Sequence, residues 1–338
     1  MSASGDLTDT PWRQPGARRR KLVGPVENHY VVTGGAGFIG SAIVRSLLRE
    51  GARRVLVIDN LLTGREANLE EVRGSIDLQR ADIRRYDEIA PLIRGAAVVF
   101  HEAAIPSVPR SIEDPVPSHE VNVDGTFNVL RAARDGKAGR VVYAASSSAY
   151  GDTEVLPKVE TMNPLPKSPY ALQKLVGEYY CRVFASVYGV ETVSLRYFNV
   201  YGPRQDPSSP YSGVLSLFMK AVLERRPPTI FGDGEQSRDF TFVEDVAALN
   251  LKAARAPNVS GMMYNGGNGG RITLNEAWAL LQKLEGVEIE PKFSPPRPGD
   301  VRHSQADTTQ AVRALGHAPQ FSFEAGMRQT LEWYRKSR

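Results

Sequence analysis

The tightest constraint in this chain is a set of three glycines, Gly34, Gly37 and Gly40, placed directly after the apolar run Tyr30-Val31-Val32. They open a stretch with helical apolar spacing over residues 39–50. Glycines at this spacing let a backbone turn sharply from strand to helix and come close to a bound group. The helix start then presents unpaired N–H groups and the positive end of its dipole, a ready site for a pyrophosphate. Asp59 closes the next apolar run, Val55-Leu56-Val57-Ile58. A carboxylate at that point can accept both hydroxyls of an adenosine ribose, although a turn cap is the plainer role for an aspartate. It also repels a 2′-phosphate, which points to NAD over NADP; Arg65 is the nearby cation that a 2′-phosphate would need.

The alternation continues. Apolar strands are expected at 76–78, 97–100, 141–145 and 192–197, with helical stretches between them, notably over 120–135. Short unbroken apolar strands separated by helices indicate a parallel sheet covered on both faces. The fold class is therefore α/β: a doubly wound, Rossmann-type domain over 29–203. Beyond it, proline- and glycine-punctuated segments surround helices at 215–224, 244–256 and 274–285. Residues 204–338 read mainly as a smaller α/β substrate domain, with the segment near 236–262 a candidate to return to the first.

The net charge of +4 is concentrated partly in residues 1–28, where Arg13, Arg18, Arg19, Arg20 and Lys21 stand among prolines without apolar periodicity. This reads as a flexible, solvated tail and not as a nucleic-acid arm. No apolar run is long enough to span a membrane, and the lone cysteine, Cys181, fits a reducing compartment. A cytoplasmic protein is expected. The five histidines form no metal-ligand spacing, and no metal is expected.

Ser168-Pro169-Tyr170 reads as a helix start, serine at the cap and proline in the first turn. Tyr170 and Lys174 then share a helical face. An ammonium beside a phenol favours tyrosinate, a base the free side chain is not at neutral pH. The alternative is an ordinary amphipathic helix edge. Yet no other tyrosine here has lysine at the fourth position, and the strand before this helix ends in Ser146-Ser147-Ser148, hydroxyls at the sheet's carboxyl edge.

Taken with segments 33–40 and Asp59-Asn60-Leu61, these residues resemble the extended short-chain dehydrogenase/reductase family, and most of all its UDP-sugar 4-epimerases. His101-Glu102-Ala103-Ala104, Ser146 through Gly151, Arg196-Tyr197-Phe198-Asn199, Arg238-Asp239-Phe240 and Pro298-Gly299-Asp300-Val301-Arg302 follow in the family's order and spacing. The resemblance implies NAD as cofactor and a UDP-sugar as substrate. It makes Tyr170 the proton-transfer residue and Ser146 the hydroxyl that bonds the sugar's 4-oxygen, with Lys174 on the nicotinamide ribose. Gly34, Gly37, Phe38, Ile39, Gly40, Asp59 and Asn60 would hold the cofactor, Asp82 and Ile83 its adenine end. Ala103, Ala104 and Tyr197 would complete that surface. Ser107, Ser147, Ser148, Asn199 and Gln205 would face substrate, and Arg238 and Arg302 would hold its diphosphate and uridine; planar guanidinium forks suit phosphates. A surface salt bridge is the plainer role for either arginine.

Three reactions on this scaffold begin alike, with C4 oxidised by NAD. In the family, dehydratases add an Asp-Glu pair at the positions of Ser147 and Ser148, and UDP-glucuronate decarboxylases a Glu at the second. Neither position is acidic here, so rotation of the 4-keto sugar and hydride return, epimerisation, is the expected outcome. Ser107-Val108-Pro109-Arg110-Ser111, Arg204-Gln205-Asp206-Pro207 and Val301-Arg302-His303-Ser304 are most similar to UDP-N-acetylglucosamine 4-epimerases, with Pro106 and Leu217 as departures. Ser304 stands where a small residue leaves room for an N-acetyl group. The expected reaction is UDP-GlcNAc/UDP-GalNAc interconversion, with UDP-Glc/UDP-Gal alongside. UDP-glucuronate epimerisation or decarboxylation is the enzyme alternative, and a silent NAD-binding sensor the non-enzyme one. The family also pairs helices like 120–135 and 170–188 into a four-helix bundle, implying a homodimer.

Overall fold

Seven parallel strands carry the fold, and they are apolar runs because helices cover both of their faces. The structure, a computed structural model, describes residues 29–207, 213–296 and 301–337. The tail at 1–28 and Pro298, Gly299 and Asp300 of the C-terminal motif lie outside the described residues. Across the sheet the order is Met262–Gly266, Thr192–Tyr197, Arg140–Ser146, Val98–His101, His29–Thr33, Arg54–Ile58, Asp77–Gln79. Each neighbouring pair is parallel. The chain therefore builds outward from His29–Thr33, then crosses back to Val98–His101 and builds the other way. Such a reversal opens a crevice beyond the strands' carboxyl ends. This is the doubly wound α/β class implied by the apolar runs, with a smaller C-terminal α/β lobe.

On one face, helices Phe38–Arg49 and Val243–Arg255 bury Ile43, Leu47, Val246 and Leu249 against Val32 and Val57. On the other, Ile89, Val129, Leu130 and Phe184 pack on Val31, Val99 and Val141. Each such side chain contributes about 1.5–3 kcal/mol by leaving water. Residues beyond 203 thus supply both the last strand and one covering helix of the sheet. Buried Arg140 fixes that helix's end: its Nη1 donates to the carbonyls of Ala253, Ala254 and Ala256 at 2.8, 3.0 and 2.8 Å. Those are carbonyls that a helix end leaves without intrahelical partners.

The stretch expected as one helix over 120–135 begins as a widened, π-helical segment, Glu120–Gly125, before the α-helix Thr126–Asp135. Within it the Asn122 amide bonds both backbone groups of Ile105 and the Gln173 side chain, so the helix is tied to the cleft wall where it widens. Helix Pro169–Tyr188 starts as its sequence implies. Ser168 accepts from the Ala171 amide at 3.2 Å, and Gly189 closes the helix in the left-handed region at φ 68°.

The smaller lobe packs helices Val214–Leu223, Leu274–Glu285 and Phe323–Lys336 around Phe218, Trp278, Leu281, Met327 and Leu331. Two short strand pairs extend towards the cleft: Val200–Tyr201 with Thr241–Phe242, and Ser237–Arg238 with Ile272–Thr273.

Candidate active site

A cleft of about 600 Å³ is lined by the residues that end or follow five of the strands: Gly34, Asp59, Glu102, Ser146 and Tyr197. Its first wall is the glycine turn. Gly34 has φ 69°, and a Cβ there would lie 2.6 Å from the Ala103 amide nitrogen. A Cβ on Gly40 would lie 2.2 Å from the Gly34 carbonyl oxygen. These two glycines are required by the protein's own packing. Gly37 differs: its backbone is extended, and an added Cβ meets only the Gly34 oxygen, at 3.0 Å. The helix that follows has no side-chain cap and no acid in its first turn, which leaves its N–H groups and dipole available to an anion. Phe38 and Ile39 line the cleft beside them.

Asp59 is buried and accepts from the amides of Ala36 and Leu61 at 2.9 and 2.8 Å. Burial pushes its carboxyl up, and those two bonds oppose the shift. Arg65 is paired with Asp206. Farther along, Asp82 accepts from Asn60 at 3.0 Å and from Arg84 at 2.8 Å, and the Arg84 bonds hold it down to about 2. Asn60, Asp82 and Ile83 all line the cleft, as do Ala103 and Ala104 on the opposite strand end.

At the other end, Tyr170 and Ser146 both line the cleft, and the Ser146 Oγ lies 2.8 Å from the Ser148 hydroxyl. Enclosure pushes Tyr170 up to about 12, opposed by the Ser146 hydroxyl and reinforced by the Glu102 carboxylate. The sequence suggests an ammonium-driven shift towards tyrosinate; in the folded chain alone Lys174 is not among the groups that move Tyr170, and burial raises it. Lys174 is buried, donates to the Ala144 carbonyl at 2.8 Å and sits 5.0 Å over the Tyr143 ring. Burial lowers its pKa, and Glu102 opposes that. Beneath lies a buried network: His101 Nδ1 bonds Thr33 Oγ1 at 2.8 Å and Nε2 bonds Thr126 Oγ1 at 2.9 Å. Burial forces His101 down to about 3, so it is neutral at any ordinary pH.

The substrate side is lined by Ser147, Ser148, Asn199, Gln205, Arg238 and Ser304. Asn199 has φ 25°, a conformation asparagine tolerates, and its Nδ2 donates to Ser304 Oγ at 3.1 Å and to the Asp239 carbonyl at 3.3 Å. Two residues proposed from sequence stand outside the lining. Ser107 is buried and its hydroxyl caps helix Val108–Glu113, accepting from Arg110 N at 3.2 Å. The Arg302 side chain is largely exposed and pairs with Asp233 at 2.9 Å, although its neighbours Val301 and Ser304 do line the cleft. Tyr197 lines it too, but its hydroxyl is already taken by Glu102 and Asn250. Glu102 is the residue that motif reading left without a role. Among the described residues no cluster of His, Cys, Asp and Glu could hold a metal, and no helix is long and apolar enough to cross a membrane.

A family model described as the NAD dependent epimerase/dehydratase family matches residues 30–267. The chain belongs to that family. The UDP-glucose 4-epimerase of Mycolicibacterium smegmatis is 38% identical over 309 residues, 90% of this chain and 98% of its own length. Among solved structures, UDP-N-acetylglucosamine 4-epimerase from Methanobrevibacter ruminantium, in complex with UDP-N-acetylmuramic acid, superposes with a TM-score of 0.88 at 35% identity, covering 93% of this chain and 100% of that one. A UDP-glucuronic acid 4-epimerase from Bacillus cereus, in complex with a fluorinated UDP-sugar and NAD, gives 0.86 at 31% identity, covering 92% and 100%. As a member of this NAD-dependent family, the chain is an enzyme with NAD as its cofactor. The cleft fits that cofactor: an open face at Gly37, an uncapped helix start, and a buried acid past the second strand.

Proposed function

We propose that this enzyme is a UDP-sugar 4-epimerase that interconverts UDP-GlcNAc and UDP-GalNAc and also accepts UDP-Glc and UDP-Gal. The observation that carries the reading is that one cleft gathers Tyr170, Lys174 and Ser146, with hydroxyls and not acids at the neighbouring positions, Ser147 and Ser148. Gly34, Gly37, Gly40 and the helix start would hold the cofactor's pyrophosphate, Asp59 its adenosine ribose, and Asp82 with Ile83 its adenine. Lys174 would bond the nicotinamide ribose. NAD, when bound, supplies the acceptor and donor of the C4 hydride, and its cationic oxidised ring adds positive charge that favours tyrosinate.

The chain's own residues handle the proton. Ser146 bonds the sugar's O4 and aligns it with Tyr170, which takes the O4 proton as the C4 hydride departs. The resulting 4-keto sugar has no acid or base beside C5 and C6 to eliminate water or lose carboxylate. Asn199 and Arg238 retain the diphosphate while the sugar turns. Tyr170 then returns its proton to O4 as hydride comes back to the opposite face, so cofactor and tyrosine end as they began. Ser304, small and held by Asn199, leaves room for the N-acetyl group. The similarity to glucose, N-acetylglucosamine and glucuronate epimerases supports C4 epimerisation; the hydroxyl-lined pocket favours the uncharged sugars.

Proton NMR of the purified protein with UDP-GlcNAc, UDP-Glc and UDP-glucuronate, without added NAD, tests this. New anomeric signals of the C4 epimer are expected from the first two. Equal or better turnover of UDP-glucuronate overturns the substrate assignment, and UDP-xylose overturns the reaction.

We also propose a homodimer. Helices Thr126–Asp135 and Pro169–Tyr188 leave Phe127, Leu172, Tyr179, Val183 and Val187 exposed, an apolar face that two copies would bury in a four-helix bundle. Val183→Asp is expected to halve the mass measured by light scattering. The buried Cys181 fits a cytoplasmic setting.

A further inference from the structure

Three carboxylates line the cleft, and two are engaged away from the catalytic helix: Asp59 by backbone amides, Asp82 by Arg84 and Asn60. The third, Glu102, lines it together with Tyr170 and Lys174. Tyr197 donates its hydroxyl proton to Glu102 Oε1 at 2.7 Å, and Asn250 Nδ2 donates to that hydroxyl oxygen at 2.7 Å. The same Nδ2 donates to the Val246 carbonyl at 2.9 Å. A flipped amide would set its oxygen against that carbonyl, so the direction of the chain is fixed. Burial pushes the Glu102 carboxyl up to about 7, and the Tyr197 bond and the Lys174 ammonium oppose that shift, both favouring the ionised form.

Lys174 is the cation that answers it. Tyr170, Glu178 and Cys181 face Lys174 from its own helix, Tyr143 from strand Arg140–Ser146, and His101 and Glu102 from the end of Val98–His101. His101 is neutral, and the Cys181 thiol is pushed up to about 12 by burial and so uncharged. Glu178 is bound by Arg196 through two bonds of 2.8 Å. Glu102, by contrast, is bonded to a neutral hydroxyl, which leaves its charge to Lys174.

We propose that Glu102 is a positioning residue: its carboxylate, oriented by the Tyr197 hydroxyl that Asn250 fixes in turn, is the buried counter-charge that favours the ammonium form of Lys174 inside the cleft. Burial lowers the Lys174 pKa and the Glu102 charge is the largest influence opposing it, which favours the proton donor that the nicotinamide ribose needs. The inference rests on the reading of Tyr170 and Lys174 as the proton-transfer pair.

The test is a pH titration, by carbon NMR, of the NAD-bound protein labelled at lysine Cε, with the Lys174 signal identified by its loss in Lys174→Arg. Removing a negative charge lowers the pKa of every group that faces it. Glu102→Gln, which keeps an acceptor for Tyr197, is expected to move the Lys174 midpoint down by about one pH unit. The pH profile of turnover moves the same way, towards acid. Tyr197→Phe leaves the carboxylate but removes the bond that favours its ionised form, and a smaller shift in the same direction is expected. An unmoved Lys174 midpoint in Glu102→Gln overturns the proposal whatever happens to turnover. Should that variant fail to fold, an unmoved midpoint in Tyr197→Phe does so. The titration needs no substrate, so a shifted Lys174 in a protein that epimerises nothing would count against the proposed reaction and not against this pairing.

Discussion

The two glycines Gly37 and Gly40 stand one turn apart in the same motif, yet the structure gives them different reasons to exist. An alanine methyl at position 40 would lie 2.2 Å from the Gly34 carbonyl oxygen and 2.8 Å from the Gly35 Cα. That is more than about 1 Å inside ordinary contact, against backbone that cannot step aside. Overpacking of this kind costs about 1–3 kcal/mol, and the rigid neighbours place Gly40→Ala near about 3. At position 37 the backbone is at φ −76° and ψ −180°, which any residue adopts, and only the Gly34 oxygen is near, at 3.0 Å. Losing a glycine restrains the unfolded chain by about 0.4–1 kcal/mol, which offsets a few tenths of crowding. Gly37→Ala should therefore leave the cofactor-free protein within about 1 kcal/mol of the parent. Its methyl, however, would stand on the cleft lining, and if Gly37 holds the pyrophosphate as proposed, NAD affinity should fall at least ~30-fold, or about 2 kcal/mol. Urea unfolding of cofactor-free protein and the NAD retained per chain after purification measure the two effects separately. Gly37→Ala that keeps a full complement of NAD, or that unfolds as readily as Gly40→Ala, would refute the division.

Three further outcomes are expected. Tyr170→Phe preserves volume and removes the proton carrier, so kcat should fall about 10²–10⁴-fold while the thermal melt is unchanged; retained turnover by NMR would exclude Tyr170 from the chemistry. Ser304→Tyr should fill the space assigned to the N-acetyl group, lowering kcat/KM for UDP-GlcNAc relative to UDP-Glc by at least ~10-fold, about 1.4 kcal/mol, as read from initial rates with each sugar. His101 titrates at 6.5 when unperturbed and at about 3 in the fold. Between those values the unfolded chain binds the extra proton, so its contribution is complete above pH 6.5 and is lost as pH falls towards 3. Urea midpoints measured from pH 7 to pH 4 should fall less steeply in His101→Gln than in the parent.

How much of this was legible in the chain depends on how local each signal is. The glycine turn, Asp59 and the Ser168-Pro169-Tyr170 helix start are readable because their physics lies within a few residues. The sheet followed from apolar runs, whose unbroken character reports cover on both faces. Ser107 and Arg302 show the limit: a motif fixes where the backbone goes, but the Ser107 hydroxyl caps its own helix and the Arg302 fork meets Asp233. Glu102 was invisible for the opposite reason. Its partners, Tyr197 and Asn250, are far away in sequence, and nothing in the local pattern says which way a side chain beyond a strand end will face. The widened turn at Glu120–Gly125 likewise depends on Asn122 reaching Ile105 and Gln173.

The edge strand Met262–Gly266 has a consequence for how the molecule is made. Its partner, Thr192–Tyr197, waits with an open flank until that late segment arrives, and the carbonyl clamp of Arg140 has nothing to hold until the helix ending at Arg255 exists. On a ribosome, the nucleotide-binding half therefore cannot finish ahead of the rest: after residue 203, roughly sixty more residues must emerge, several seconds at ordinary rates of synthesis. A fragment cut at the apparent boundary near 203 would expose an unpaired strand and a bare apolar face, and would be expected to aggregate where the intact chain does not.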